Sequence, residues 1–283
     1  MSRLPASLDA PPSGRARPIW FDAAAYGQAK LLGGGPLQWR SPAELTAFFG
    51  KTQAMFGSDA ILVDIADVFA QRAASDQALR ASMAARSRPG YALRTLLGDE
   101  QARASAAEAV RALAATSGAV PLVLAVPAPG RWLVSAAKLA GPDPGPADAG
   151  QAETAAIYTA DFLRTFAGTG IDGLLIDEGP VAADELVHPD AYRPVLNLAD
   201  HYEWPVLVQA NGAAAWPHGP VPGVALWLGR AGPGQPSGRW GLVAGPGFWE
   251  GTEPPPAEAD LVFAAVPAPA DPEAVMKRVR ALA

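Results

Sequence analysis

The sequence contains no cysteine. That absence removes structural disulfides, iron–sulfur clusters and thiolate zinc sites from consideration. Basic runs are missing too: the 283 residues carry a net charge of −6, which leaves no electrostatic footprint for nucleic acid or for an anionic membrane surface. No apolar stretch approaches the ~20 residues of a membrane-spanning helix. Histidine is scarce, confined to His188, His201 and His218. Residues 1–17 carry Ser and a Pro pair but no apolar segment, so residues 1–16 read as a frayed tail rather than a signal peptide, ahead of one domain over 17–283. The expected setting is soluble and cytoplasmic. The expected partner is a small-molecule substrate, with neither nucleic acid nor membrane involved, no cofactor required, and homodimerisation left open.

What the chain does contain is a repeated layout: a short apolar run, a polar residue, then a Gly or Pro break. Its fullest instance is Gly170-Ile-Asp-Gly-Leu-Leu-Ile-Asp-Glu-Gly-Pro180. Leu174-Leu175-Ile176 is apolar on successive residues, as a strand covered on both faces must be, and Asp177 and Glu178 stand at its carboxyl end. Similar runs occupy 18–22, 59–67, 121–126, 204–211, 223–228, 240–244 and 260–266.

Helical segments alternate with these runs. Ser41-Pro42-Ala43-Glu44 is a capping box with Pro at the first helical position, and it predicts a helix to about Phe56, ended by Gly57. Residues 99–117 are Ala-rich, with Gly118 at the expected left-handed cap. Further helices are expected over 151–166, in two pieces over 184–202, and from Pro272 onward. The Gly-rich stretch Leu32-Gly-Gly-Gly-Pro36 lacks the Lys and Ser/Thr of a phosphate cradle and reads as a lid or connector. Only about a dozen Gly-, Pro- and Ser-rich residues separate the sixth run from the seventh, so there either a helix is replaced by loop or the two runs form a hairpin. Eight strands alternating with helices point to a (β/α)8 TIM barrel, with an open α/β sheet as the alternative.

In such a barrel the carboxyl ends of the strands share one rim, which makes the polar residues there the candidate site. Asp64 lies within an apolar run, where burial raises a carboxyl pKa. Asp177 and Glu178 are adjacent, so their side chains point to opposite faces and at most one enters the barrel. Either, set against Asp64, could divide acid and base roles. His218 lies beyond the fifth run and could move a proton. Asp22, Asp67, Gln209 and Asn211 follow strand ends as candidate substrate contacts. Arg131 and Arg230 suit a carboxylate clamp. Trp20, Trp216, Trp227, Phe248 and Trp249 suggest an aromatic wall, with Trp227 and Trp249 the named contacts. No ligand spacing supports a metal site at Asp22, Glu178 and His218.

The order of motifs resembles the superfamily of uroporphyrinogen decarboxylase and cobalamin-independent methionine synthase. Arg17-Pro-Ile-Trp20 is similar to the opening Pro-Val-Trp of the decarboxylases, and Asp59-Ala-Ile-Leu-Val-Asp-Ile65 to their strand ending in Ser-Asp-Ile. Ile176-Asp-Glu-Gly-Pro180 is closer to the Ile-Asp-Glu-Pro of the methionine synthases, and 263–282 resembles the closing strand and Pro-Glu-x-Val helix. The resemblance implies a TIM barrel in which Asp64 stabilises positive charge as carbon dioxide leaves. Departures are equally specific: Asp22, three Ala and Tyr26 stand where the decarboxylases carry arginines, Ala264-Ala265-Val266-Pro267 replaces Gly-His-Gly, and zinc-binding cysteines are absent. The reading is a diverged, decarboxylase-like lyase acting without metal on a small carboxylated, aromatic or heterocyclic substrate. The alternatives are a methyltransferase with a non-thiolate site and a catalytically silent binding protein or partner subunit.

Overall fold

A computed structural model describes residues 2–88, 90–141, 143–179, 189–210, 221–230, 238–256 and 259–282. Its frame is one eight-stranded sheet built from Ile19–Asp22 (β1), Ile61–Asp64 (β2), Leu122–Pro127 (β3), Gly173–Asp177 (β4), Val206–Ala210 (β5), Val224–Gly229 (β6), Trp240–Val243 (β7) and Leu261–Ala265 (β8). The hydrogen-bonded order is β1-β8-β7-β6-β5-β4-β3-β2, and every neighbouring pair is parallel. This is the (β/α)8 TIM barrel. The hairpin considered between the sixth and seventh runs does not form, because β6 pairs with β7 in parallel, Trp227 opposite Trp240.

The two ends of the sheet meet without a strand ladder. At this seam the Asp59 backbone N donates to the Ile19 carbonyl at 2.9 Å, the Asp59 Oδ2 accepts from the Ile19 N at 2.9 Å, and the Ser58 Oγ accepts from the Phe21 N at 2.9 Å. Side chains from the turn before β2 therefore satisfy backbone donors of β1 that would otherwise be orphaned. The seam closes the barrel and excludes the open sheet.

Strand alternation divides the apolar residues into two sets. Trp20, Leu62, Val123, Leu175, Leu207, Leu226, Leu228, Leu261 and Phe263 fill the barrel interior. Val63, Leu124, Val126, Leu174, Ile176, Val206, Val208 and Trp227 face the helices. Each fully buried large side chain of this kind contributes roughly 1.5–3 kcal/mol. The helix Pro42–Phe56 begins where the capping box places it, with the Ser41 side chain accepting from the Glu44 N, and ends at Gly57 with φ 57°. Glu100–Thr116 is capped in the same way by Asp99, whose Oδ1 accepts from the Ala102 N at 2.8 Å.

The opening residues correct the tail reading. Leu4–Asp9 form a helix, and Leu4 and Leu8 join the interior cluster of the barrel. Arg3 pins this helix to Asp172, its backbone N donating to Oδ1 at 2.8 Å and its Nη2 to Oδ2 at 2.6 Å. Asp172 precedes β4 and also accepts from the Leu122 N at 2.9 Å, so the plug lies at the amino ends of β3 and β4. A Cβ on Gly173 would come within 2.5 Å of the Leu4 Cδ2, and only glycine leaves room for the plug. Composition missed it because its anchors are long-range partners. Among the described residues no helix is long and apolar enough to cross a membrane.

Candidate active site

At the carboxyl ends of the strands a cavity of about 200 Å³ opens into the barrel, and its polar lining is Asp22, Asp64, Asp177, Gln209 and Arg131. Its apolar walls include Leu62, Ala125, Leu175, Phe263 and Ala265. Each polar strand residue lies two positions beyond an inward apolar one: Asp22 after Trp20, Asp64 after Leu62, Asp177 after Leu175, Gln209 after Leu207. The period of two that fills the interior therefore also delivers the polar groups to the rim. Register carries them together, with Asp177 opposite Gln209, Asp64 opposite Ala125 and Asp22 opposite Ala265.

Asp64 and Asp22 share an environment. Solvent reaches both through the mouth, while protein crowds them on the other sides, and poor hydration of the charge follows from that crowding. Burial is the main cause lifting Asp64 to a pKa of about 6; the Ala66 N, donating to Oδ1 at 2.9 Å, opposes it, and the charges of Asp67, Asp22 and Asp177 add to it. Asp22 is raised for the same first reason, opposed by the Ala24 N and assisted by Asp177.

Asp177 is held differently. Arg131, from the first turn of the helix Pro129–Ala140, pairs with its Oδ2, and the Gly179 N donates to its Oδ1 at 2.8 Å. The Asp177 carbonyl accepts from the Arg131 Nη1 at 3.2 Å and from the Ala128 N at 2.8 Å. Gly179 has φ 68°, and a Cβ there would come within 2.8 Å of the Arg131 Cζ. The glycine thus admits the guanidinium to the carboxylate. Sequence reasoning read Gly179 only as a strand stop, and the Gly-Pro step following two carboxylates carries no signal of this contact.

No protein-family model matches the chain, and no curated protein matches it either.

The remaining candidates fall elsewhere. Glu178 follows the outward register of Leu174 and Ile176 and is not among the residues lining the cavity, so Asp177 is the one of the two acids that enters the barrel. Asp67 sits in the first turn of the helix Ala66–Ser75, where its Oδ2 accepts from the Trp39 Nε1 and the Gln71 Nε2, each at 2.8 Å. It contributes charge toward Asp64 without lining the cavity. Arg230 lies 3.7 Å from Glu253 and packs its guanidinium against Gly245, beyond the cavity wall. His218, Asn211 and Trp216 lie outside the described residues.

The aromatic wall expected on the rim is not assembled from the described tryptophans. Trp227 lies between the inward Leu226 and Leu228 and faces the helix layer. Trp20 is in the barrel interior, while Phe248 and Trp249 pack with the cluster around β1 and β8. Proximity to a strand end does not fix the face on which a side chain stands, and alternation places Trp227 on the outer one. Among the described residues Phe263 is the aromatic that lines the cavity. Among the described residues no group of three or more Asp, Glu or His is arranged to hold a metal ion.

Chemically, the lining offers two carboxyls with raised pKa values, one anchored carboxylate, one amide and one guanidinium. Asp64, raised to about 6, can exchange protons near neutral pH, Asp22 is raised in the same direction, and the acidic lining favours a reacting group that gains positive charge.

Proposed function

We propose that the chain is a decarboxylase-type carbon–carbon lyase acting at this mouth on a small carboxylated, aromatic or heterocyclic substrate. The observation that carries the reading is that Asp64, with its pKa near 6, shares one cavity with Asp22 and with the anchored Asp177. In the proposed reaction a ring is protonated, the bond from ring to carboxyl carbon breaks, carbon dioxide leaves, and the electron pair returns to the ring. The Asp64 carboxylate stabilises the cationic ring, and Asp22, whose carboxyl burial shifts toward the protonated form, lies in the same cavity as the proton donor of the proposal. Arg131 engages Asp177 through Nη1 and lines the same cavity, so its remaining N–H groups are the donors proposed for the substrate carboxylate before bond cleavage. The size of the cavity suits one or two rings rather than a macrocycle.

The resemblance to the decarboxylases supports the same role for Asp64. The test is release of carbon dioxide from a panel of arene- and heteroarene-carboxylic acids. Asp64→Asn is expected to lower turnover by about 10²–10⁴-fold with the fold intact, and equal turnover in the variant overturns the assignment.

A second reading, a binding protein without turnover, is favoured by one observation. Arg131 is engaged by Asp177 and Arg230 by Glu253, so neither candidate arginine is wholly given over to a substrate carboxylate. Calorimetric binding of panel members with no product formed would select this reading.

A further inference from the structure

A second cavity, of about 460 Å³, lies in the helix layer, away from the mouth and independent of the reaction proposed there. Its floor is apolar: Met83 and Leu133 are almost fully buried, and Ala137 and Ala140 extend that floor along the helix Pro129–Ala140. One lip carries Arg86 and Arg88, on the turn joining the helices Gln77–Met83 and Tyr91–Leu97. Arg86 stacks over the Tyr91 ring at 5.2 Å, and neither arginine has a carboxylate partner among the described residues. Asp143, also on the lining, pairs with Lys138 at 2.9 Å. Among the described residues the cations at this lip are therefore uncompensated, on a chain whose net charge is −6.

We infer that this cavity binds a small anionic amphiphile: an acyl or aryl carboxylate whose apolar body lies on Met83, Leu133, Ala137 and Ala140 and whose carboxylate meets Arg86 and Arg88. The volume is in the range of small-molecule sites. An apolar floor by itself would take any hydrocarbon, and the unpaired guanidiniums are what select a carboxylate, through charge-assisted hydrogen bonds. Gly90 is part of the construction: with φ 80° it turns the chain back at the lip, and a Cβ there would come within 3.2 Å of Tyr158.

The experiment uses the full chain with methyl-labelled methionine and titrates octanoate against 1-octanol, which has the same apolar body without the charge. Octanoate is expected to shift the Met83 methyl resonance and leave those of Met55 and Met276 in place, with 1-octanol at least about tenfold weaker. The double variant Arg86→Gln/Arg88→Gln is expected to weaken octanoate by about tenfold or more, and Ala137→Phe, which fills the floor, to abolish binding. Asp64→Asn is expected to leave octanoate affinity as it was. Equal affinity for octanoate and 1-octanol, undiminished affinity in the arginine double variant, no shift at Met83, or loss of binding in Asp64→Asn would each overturn the proposal.

Discussion

Arg131 grips Asp177 at two points, its Nη1 donating both to the side-chain carboxylate and to the backbone carbonyl of the same residue. The second contact ties the guanidinium to the chain as well as to the charge, so Asp177 is fixed in rotamer and position. Among the described residues no cation pairs with Asp64 or Asp22 in this way. The mouth therefore holds one carboxylate anchored by a guanidinium and two carboxyls raised by burial, an arrangement that lets like residues take unlike roles.

That division sets the pH dependence. Asp64 has a pKa of about 6 in the folded chain against 3.8 as the ordinary value. Turnover that needs the Asp64 carboxylate is expected to fall as pH drops through about 6. A pH–rate profile checks this, and an acidic limb unchanged in Asp64→Asn would assign the titration to another group.

Stability follows the opposite sense. Because the folded pKa is above the unfolded value, the folded chain binds more protons between pH 3.8 and about 6, and stability from this group is present below that window and lost as pH rises through it. Asp22, also raised, adds in the same direction. Asp64→Asn keeps an acceptor for the Ala66 N while removing the titration. The variant is expected to gain stability relative to the parent at pH 7, with the gain shrinking toward pH 4, as read from melting temperatures across the range.

Gly179→Ala strikes the anchor. The new Cβ meets the Arg131 guanidinium at 2.8 Å, and a φ of 68° is costly for alanine. A loss of about 1–2 kcal/mol is expected in denaturant unfolding. In the background Arg131→Gln the same substitution is expected to cost less, because the two act on one contact, and a double-mutant cycle measures that difference.

Asp59 closes the seam. It is fully buried, accepts from the Ser13 and Ile19 backbone N, and pairs with Arg15 at 3.2 Å. Asp59→Ala leaves those donors unpaired and is expected to cost about 3 kcal/mol or more. Hydrogen exchange should then accelerate first at the Ile19 amide, ahead of the amides of β4 and β5.

Leu4→Ala tests the plug. Leu4 is fully buried in the barrel interior, and its truncation is expected to cost about 2–5 kcal/mol. A frayed tail would lose nothing.

The strands, the longer capped helices and the rim were legible in the residues alone, while the helices Leu4–Asp9 and Ala24–Leu31 and those over 66–97 were not. Apolar runs covered on both faces, closed by Gly or Pro and separated by capped helices, admit little besides a parallel sheet wrapped in helices. The same runs name Asp22, Asp64, Asp177 and Gln209 as strand-end groups, whereas Trp227, read as a rim contact, stands on the outer face. Other decisions needed the tertiary structure, because they depend on residues far apart in the chain. Asp59 substitutes for a strand ladder at the seam between β1 and β2, and Asp172 holds Arg3 from 169 residues away. Arg131 reaches Asp177 across 46 residues through space that Gly179 leaves open. Local composition carries no record of such partners, since they are chosen by closure of the barrel, and the environment that lifts the Asp64 pKa exists only once that closure has brought the carboxylates to one mouth.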